Sequence, residues 1–310
     1  MWSFSGGGEN SKDDMKALGV IANTAKPQAA SVLKRLSDLA ASLGLSLSAT
    51  AETADLMPGA RRLASGADFR ESEAVVVLGG DGTMLSAVRS LHGLDRPLLG
   101  VNIGSLGFMT SVSEQDLERA LRCLREETFI VSERSVAQCR VHAVDGSTED
   151  YSALNDVVVS SGASARVVRL EVCAGGSLVT TYVCDGLIIS TPTGSTGHSL
   201  SAGGPILTPE TAAFVVSVIC PHTLSSRPLV VPDRSGIRIR IGESSNGLRL
   251  SVDGQVGRAL QCGDVVAVGR GDRNVRFLHL PDYDYFRVLR QKLNWSGSAA
   301  GSGGTVKGDI

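Results

Sequence analysis

The sequence predicts a chain of two parts: an N-terminal, doubly wound, Rossmann-like α/β domain at residues 15–128 and a C-terminal, β-sandwich-like domain at residues 129–281. Two observations lead to this prediction. In the first part, short apolar runs alternate with segments of helical periodicity, the pattern of a parallel sheet with crossover helices. In the second part the apolar period changes to two, which is typical of half-buried strands. With 310 residues, the chain is long enough for two domains.

Residues 1–14 are polar and glycine-rich, and we interpret them as a disordered leader. Either Met1 or Met15 is then the natural start. The α/β domain begins after this stretch. Its predicted elements are a strand at Ala17–Ala22, a helix from Pro27 to Gly44, a strand at Ser46–Thr50, a short helix at Gly59–Ala64, a strand at Val75–Leu78 with a helix behind it, a strand at Leu98–Ile103, and a helix after the Ser113–Asp116 capping signal. Ligands of such sheets gather beyond the carboxyl ends of the strands.

The most informative stretch of this domain is GGDGT, Gly79–Thr83, which joins a buried strand to a helix. Its glycines allow a phosphate or a ribose to approach the backbone, and amides at a helix start favour anions. The motif is not a Walker A loop, because no lysine follows the glycines. Asp81 is suited to accept a proton from a hydroxyl nucleophile or to help hold Mg²⁺. An aspartate that merely caps the helix in a tight turn is the open alternative.

The second part shows repeated apolar–polar alternation with turn signals between the runs. The alternating apolar runs lie at Ala137–Ala143, Val168–Val172, Ile237–Ile241 and Leu248–Val252, with a further strand at Leu178–Cys184. Arg238 and Arg240 alternate with isoleucines, so we assign them to a solvated face rather than to a phosphate site. A final amphipathic helix is predicted at residues 282–295, and the low-complexity tail at 296–310 is expected to be disordered.

Composition excludes several classes of function. The formal net charge is −2 and aromatic residues make up 4% of the chain, so binding to nucleic acid by charge or base stacking is not expected. No apolar run approaches the ~20 residues of a membrane span, and we expect no membrane partner. The six cysteines form no metal-binding pattern and suit a reducing compartment, which predicts a cytoplasmic protein.

Three more stretches contain residue types suited to a site. Asn155-Asp156 enters a buried-looking strand and is, by itself, most simply an Asx turn. The run from Asp185 to Leu207 concentrates small hydroxyl residues and glycines between apolar strands, which suits a ligand with phosphates and ribose hydroxyls. Within it, His198 is either a base or a packing residue. SVDGQ, Ser251–Gln255, is most simply a type I′ hairpin turn at Asp253-Gly254.

Together these segments resemble the bacterial NAD kinase family from Ala17 to Trp295. GGDGTML, GVNIGSLGFMT, LNDVVV, DGLIISTPTGSTGHSLSAGGPI, CPHTLSSRPLVVP, SVDGQ and FRVLRQKLNW occur in the family's order and spacing. The glycine–aspartate motif alone is shared with lipid kinases and phosphofructokinases, whereas the run from Asp185 to Ile206 is diagnostic. The resemblance implies an active site between the two domains, with the last helix returning to the N-terminal domain.

The reaction implied is transfer of the γ-phosphoryl group of ATP to the 2′-hydroxyl of the adenosine ribose of NAD, with Mg²⁺ or another divalent cation. The implied partners are NAD, ATP and further copies of the chain in a homodimer or homotetramer. Asp81 matches the family's proton acceptor, and Gly79, Gly80, Gly82 and Thr83 form the implied phosphate-donor loop. The implied NAD contacts are Asp81, Gly82, Phe108, Asn155, Asp156, Arg166, Val183, Asp185, Thr193, Thr196, Gly197, His198, Ser199, Leu200, Ser201 and Gln255. No protein residue is implied as a fixed metal ligand, since the cation is expected on the nucleotide phosphates.

Two positions depart from the family's pattern. Asp156 stands where the family often has glutamate, and His198 stands where it often has tyrosine. The shorter carboxylate at 156 can reach a ribose hydroxyl through water, and a packing role at 198 survives the change to histidine. A lipid kinase and a sensor that binds NAD without turnover remain as rival functions. The residues do not distinguish ATP from polyphosphate as donor, NAD from NADH as acceptor, or any feedback by NADP(H).

Overall fold

The computed structural model describes residues 15–104, 107–161, 167–242 and 247–295. The predicted leader, the predicted tail and Arg166 lie outside these residues. The N-terminal elements are β1 (Ala17–Ala22), α1 (Ala29–Ser42), β2 (Ser46–Thr50), α2 (Ala51–Ala54), β3 (Arg61–Leu63), a 3₁₀ helix (Gly66–Glu71), β4 (Ala74–Gly79), α3 (Asp81–Ser90), β5 (Leu98–Asn102), β6 (Val112–Ser113) and α4 (Leu117–Arg125).

The C-terminal elements are mostly strands. They are β7 (Ile130–His142), β8 (Thr148–Ala153), β9 (Asp156–Ser160), β10 (Val168–Ala174), β11 (Ser177–Cys184), β12 (Gly186–Ser190), a 3₁₀ turn (Thr193–Thr196), α5 (His198–Ser201), β13 (Ala213–Ile219), β14 (Leu229–Pro232), β15 (Ile237–Ile241), β16 (Arg249–Val252), β17 (Val256–Ala259), β18 (Val265–His279) and α6 (Tyr285–Lys292). In the part of the chain that the structure describes, no helix has both the length and the apolar composition needed to cross a bilayer.

The N-terminal sheet is parallel, with strand order β5-β4-β1-β2-β3. Successive residues of β4 point to opposite faces, as the pleat requires. Val76 and Leu78 join the core under α1 and α4, whereas Val75 and Val77 join the core that contains Met84 of α3. Helices therefore cover both faces of the sheet, and the prediction of a doubly wound α/β domain is confirmed.

The helix predicted at Gly59–Ala64 is wrong. Arg61–Leu63 forms the edge strand β3, which pairs in parallel with β2 from Ser48 to Thr50. Alanine, arginine and leucine favour a helix locally, but pairing with β2 at the edge of the sheet overrides this preference. Only Leu63 of the strand is buried.

The C-terminal domain is a sandwich, as predicted. One sheet contains β7, β8, β10, β11, β15 and part of β18, and the other has the antiparallel order β14-β13-β12-β9-β16-β17. Apolar side chains from both sheets form one core, for example Val168 and Ile239 from the first sheet and Leu187 and Phe214 from the second. Arg238 and Arg240 are exposed on the outer face, as their alternation with buried isoleucines indicates.

The long strand β18 joins the two domains into a twelve-stranded sheet. Its first half pairs with β15, and its end pairs in parallel with β5 through Phe277 and Leu98. The chain thus returns to the α/β domain within a strand, before α6 begins. Near the end of α6 the Lys292 ammonium lies 5.7 Å from the centre of the Phe108 ring, whereas Tyr285 donates a hydrogen bond to Leu207 of the sandwich. The final helix therefore contacts both domains.

Candidate active site

The GGDGT turn forms where β4 ends and α3 begins. Gly80 is the N-cap of α3 and Asp81 is its first residue, so the Asp81 side chain does not cap the helix. A Cβ atom at Gly79 would lie 2.2 Å from the Thr83 hydroxyl oxygen, so any other residue there would displace the Thr83 side chain. At Gly80 and Gly82, in contrast, nothing lies within 4 Å of the Cβ position. The turn is closed on the Thr83 side and has open space beside two of its glycines.

The Asp81 carboxylate is held by the loop that follows β5. Phe108 N–H donates to Asp81 Oδ2 and Met109 N–H donates to Oδ1, both at 2.9 Å. A Cβ atom at Gly107 would lie 2.1 Å from Asp81 Oδ1, so only glycine allows this approach. The loop is fixed in turn by Asn102, whose side-chain amide donates to the Thr110 hydroxyl at 3.0 Å. A carboxylate has about four acceptor positions, so Asp81 is oriented while part of its acceptor capacity stays free.

A second carboxylate, Asp253, fixes the Asn155-Asp156 pair. Asp253 Oδ2 accepts from Leu154 N–H at 2.9 Å, and Oδ1 accepts from Asn155 N–H at 2.7 Å and Asp156 N–H at 3.1 Å. Burial raises the pKa of Asp253, and these three backbone N–H groups act in the opposite direction. Asp253 and Gly254 have φ of +53° and +66°, the type I′ turn that the sequence indicates. The role of the Asp253 side chain was not predicted.

Three buried polar atoms near this pair have no hydrogen-bond partner in the described structure: Asn155 Oδ1, Asp156 Oδ1 and Thr193 Oγ1. Asp156 is 1% exposed, and its other oxygen lies 3.1 Å from His198 Nδ1. Burial raises the pKa of Asp156, and the neighbouring His198 opposes that shift. Buried polar groups are normally satisfied by protein, water or ligand. The three atoms are therefore available to a polar ligand.

The hydroxyl-rich run packs directly against Asn155. Thr191 N–H donates to Asn155 O at 2.9 Å, and the Thr191 hydroxyl donates to Leu154 O at 2.5 Å. A Cβ atom at Gly194 would lie 2.1 Å from Asn155 O, so the two backbones meet only because residue 194 is glycine. Ser199 is fully buried and its hydroxyl lies 2.9 Å from that of Ser217. This contact fixes the loop against strand β13.

The hairpin turn after β16 connects the two halves of the site. Gln255 Nε2 donates to Gly82 O at 2.9 Å, and Gln255 Oε1 accepts from Arg89 of α3. Two residues earlier, Asp253 holds the Asn155-Asp156 backbone. A single turn thus brings the GGDGT motif of one domain beside the Asn-Asp pair of the other, which neither sequence segment indicates alone.

The other predicted residues occupy less connected positions. Asp185 lies between β11 and β12 with 35% of its side chain exposed, 3.9 Å from His222 Nε2. Val183 O accepts from His222 N–H at 2.9 Å. His222 was not predicted, because a lone histidine in the CPHTLSS stretch carries no pattern. Thr196, Gly197, Leu200 and Ser201 follow the turn at Gly194 and are partly or fully exposed.

Asp253→Asn is expected to destabilise the protein by about 1–3 kcal/mol, the cost of one buried N–H left without an acceptor. Asparagine adopts the positive φ readily, but its NH₂ group cannot accept from Leu154 N–H. The affinity for a ligand bound at Asn155 and Asp156 should fall, while the affinity for a ligand bound at the GGDGT turn stays unchanged. Thermal unfolding and substrate titrations measure both effects. The matched control is Asp145→Asn in the turn between β7 and β8, where the aspartate accepts from Ser147; equal behaviour of the two variants would contradict a positioning role for Asp253.

A glycine turn that holds a fixed carboxylate, joined by a hairpin to unpartnered buried acceptors of a second domain, is typical of a two-domain nucleotide-dependent phosphotransferase. The chain belongs to the ATP-NAD kinase family. Residues 18–129 match the ATP-NAD kinase N-terminal domain and residues 154–280 match the ATP-NAD kinase C-terminal domain. The resemblance drawn from the sequence motifs is confirmed.

Individual relatives agree with this assignment. The NAD kinase of Syntrophotalea carbinolica is 45% identical over 223 residues, which span 72% of this chain and 78% of that protein. The NAD kinase of Heliobacterium modesticaldum is 39% identical over 285 residues, 90% of this chain and 99% of that protein.

Among solved structures, yeast NADH kinase complexed with NADH has a TM-score of 0.85 at 24% identity, covering 93% of this chain and 89% of that one. An NAD kinase from Archaeoglobus fulgidus in complex with ATP has a TM-score of 0.72 at 24% identity, covering 90% and 99%. These two structures share the fold.

Proposed function

We propose that this protein transfers the γ-phosphoryl group of ATP to the 2′-hydroxyl of the adenosine ribose of NAD, giving NADP and ADP. Family membership supports the activity, and one structural observation carries the proposal. The Asp81 carboxylate, oriented by Phe108 and Met109, is linked by a single hairpin to buried acceptors that lack partners on Asn155 and Asp156. This arrangement suits a nucleophilic hydroxyl at Asp81 and a dinucleotide on the sandwich side.

In the proposed step, the 2′-oxygen of NAD forms a bond to the γ-phosphorus as the bond from that phosphorus to the β–γ bridging oxygen breaks. The proton of the 2′-hydroxyl passes to Asp81, and the electron pair of the broken bond leaves on ADP. A positioned carboxylate of this kind contributes about 10²–10⁴-fold to rate. Alignment of the two substrates across the domains supplies much of the rest.

The acceptor contacts follow from the chemistry of each side chain. Asn155 offers both a donor and an acceptor, which suits an edge of adenine. Asp156 and Asp185 are acceptors suited to ribose hydroxyls and to the carboxamide of nicotinamide. The further proposed NAD contacts are Gly82, Phe108, Val183, Thr193, Gln255 and the residues from Thr196 to Ser201. Arg166 belongs to the same proposal from the sequence alone.

We propose that the donor is the complex of ATP with Mg²⁺ or another divalent cation. Among the described residues, no group of three or more histidine, cysteine or acidic side chains is arranged to hold a metal ion. Phosphate oxygens are ligands that Mg²⁺ favours, and the open space beside Gly80 and Gly82 suits the phosphates that bring it. The cation would neutralise charge that develops on the transferred group.

A coupled assay tests the proposal. Purified protein is incubated with NAD, ATP and Mg²⁺, and the product is detected with an NADP-specific dehydrogenase. We expect NADP to accumulate with NAD and not with an NAD analogue that lacks the 2′-hydroxyl. Tight binding of NAD without any NADP above background would instead indicate a sensor. Phosphorylation of a lipid alcohol but not of NAD would indicate a lipid kinase.

We also propose a homodimer or homotetramer that acts in the cytoplasm. The edge strand β14 exposes Leu229 and Val230, at 36% and 45%, and nearby Leu224 is 99% exposed. Apolar side chains along an unpaired sheet edge favour association with another subunit. The six cysteines are free thiols, which a reducing compartment would preserve.

A further inference from the structure

The loop after β1 and the loop after β5 both adjoin the carboxyl end of β4. Asn23 N–H, just past β1, donates to Leu78 O at 2.9 Å. Ile103 N–H, just past β5, donates to Gly79 O at 3.2 Å. Since β4 lies between β1 and β5 in the sheet, these two loops flank the point where the GGDGT turn begins.

The side chain of Lys26 spans this gap. Lys26 belongs to the loop after β1, and its ammonium nitrogen lies 3.6 Å from the Cβ position of Gly104 in the loop after β5. A contact between those loops crosses the end of β4. The Lys26 ammonium therefore lies beside the loop after β5, at the same end of the sheet as the carboxyl end of β4.

None of the described residues neutralises this charge. Lys26 is exposed, and it forms no ion pair or side-chain hydrogen bond with any residue that the structure describes. Lys34, by contrast, pairs with Asp38 at 2.8 Å one turn into α1. At the same end of the sheet as Lys26, β4 leads into Gly80, the N-cap of α3, and nothing lies within 4 Å of the Cβ positions of Gly80 and Gly82. An unpaired ammonium, open glycine backbone and a helix N-terminus together favour a polyanion.

We propose that Lys26 binds the terminal phosphates of the donor nucleotide. The inference rests on the proposed function and adds a donor contact that the GGDGT motif does not contain. The motif lacks the lysine of a Walker A loop, and Lys26 supplies an equivalent charge from a different strand end. Asp81 then acts on the acceptor hydroxyl, and Lys26 acts on the phosphoryl group that the hydroxyl attacks.

Lys26→Met keeps an unbranched side chain that is one atom shorter and removes its charge. We expect kcat/KM for ATP to fall about 10- to 100-fold, the range for loss of a charge-assisted hydrogen bond, while the KM for NAD stays unchanged. Calorimetric titrations should show weaker binding of ATP and unchanged binding of AMP, because AMP lacks the terminal phosphates. Lys26→Arg should restore part of the ATP affinity, and Lys34→Met should match the wild type.

The outcomes separate the two proposals. If the wild-type protein makes no NADP, the proposed function fails whatever the variants do. If the wild type is active and Lys26→Met behaves as Lys34→Met does, the role of Lys26 is overturned. Equal loss of ATP and AMP binding, or a change confined to the KM for NAD, would also overturn the role of Lys26. Either result would mean that Lys26 supports the structure and does not contact the terminal phosphates.

Discussion

Asp81→Asn is expected to lower kcat by about 10²–10⁴-fold, the contribution typical of a positioned general base. The amide is nearly isosteric with the carboxylate, but it cannot take the proton of a hydroxyl. It also presents an NH₂ group to either Phe108 N–H or Met109 N–H, where the carboxylate accepts from both. Initial rates at saturating NAD and ATP measure the effect.

The control for this variant is Asp116→Asn. Asp116 also stands at the start of a helix of the α/β domain, and its carboxylate accepts from the Ser113 hydroxyl at 2.5 Å. Strand β5 separates Ser113 of β6 from Gly79 of β4. We expect it to retain the wild-type kcat. Near-normal turnover by Asp81→Asn, with both substrates still bound, would show that another group accepts the proton.

Gly107→Ala is expected to lower kcat by about 100-fold although it changes no group that takes part in the chemistry. The new methyl carbon would lie 2.1 Å from Asp81 Oδ1 and 2.5 Å from the Thr110 hydroxyl oxygen, so the carboxylate or the loop has to move. Displacement of a reacting group by about 1 Å lowers the reaction rate by a factor on the order of 10². Measured dissociation constants for NAD should change little, because Asn155 and Asp156 lie on the other domain.

The matched control is Gly269→Ala in β18, where nothing lies within 4 Å of the Cβ position. Thermal unfolding of the two variants separates a local displacement from a loss of fold. If Gly107→Ala is as active as Gly269→Ala, the close approach of residue 107 does not set the position of Asp81.

Local patterns were sufficient to predict the elements that build the site. The run of β-branched residues before Gly79 and the helical sequence after Thr83 predict the strand, the turn and α3, because each depends on neighbouring residues alone. The alternation in the C-terminal half predicts the sandwich for the same reason, and the exposed Arg238 and Arg240 agree with it.

Pairings between distant residues could not be predicted in this way. The pair Asp253-Gly254 is fully explained by a hairpin turn. The sequence therefore does not indicate that the Asp253 carboxylate also accepts three backbone hydrogen bonds. Lys26 belongs to no sequence motif, and only the order of the strands in the sheet brings its loop beside Gly104. The edge strand at Arg61–Leu63 was missed because pairing with β2 overrides local helix propensity.

We propose that the oriented carboxylate at the GGDGT turn takes part in the phosphoryl-transfer step itself. The most direct measurement is a single-turnover, rapid-quench experiment with NAD bound and labelled ATP added, on the wild type, Asp81→Asn and Gly107→Ala. We predict that both variants bind NAD and ATP within about threefold of the wild type and form labelled NADP at least about 100-fold more slowly. Transfer at the wild-type rate in both variants would contradict the claim.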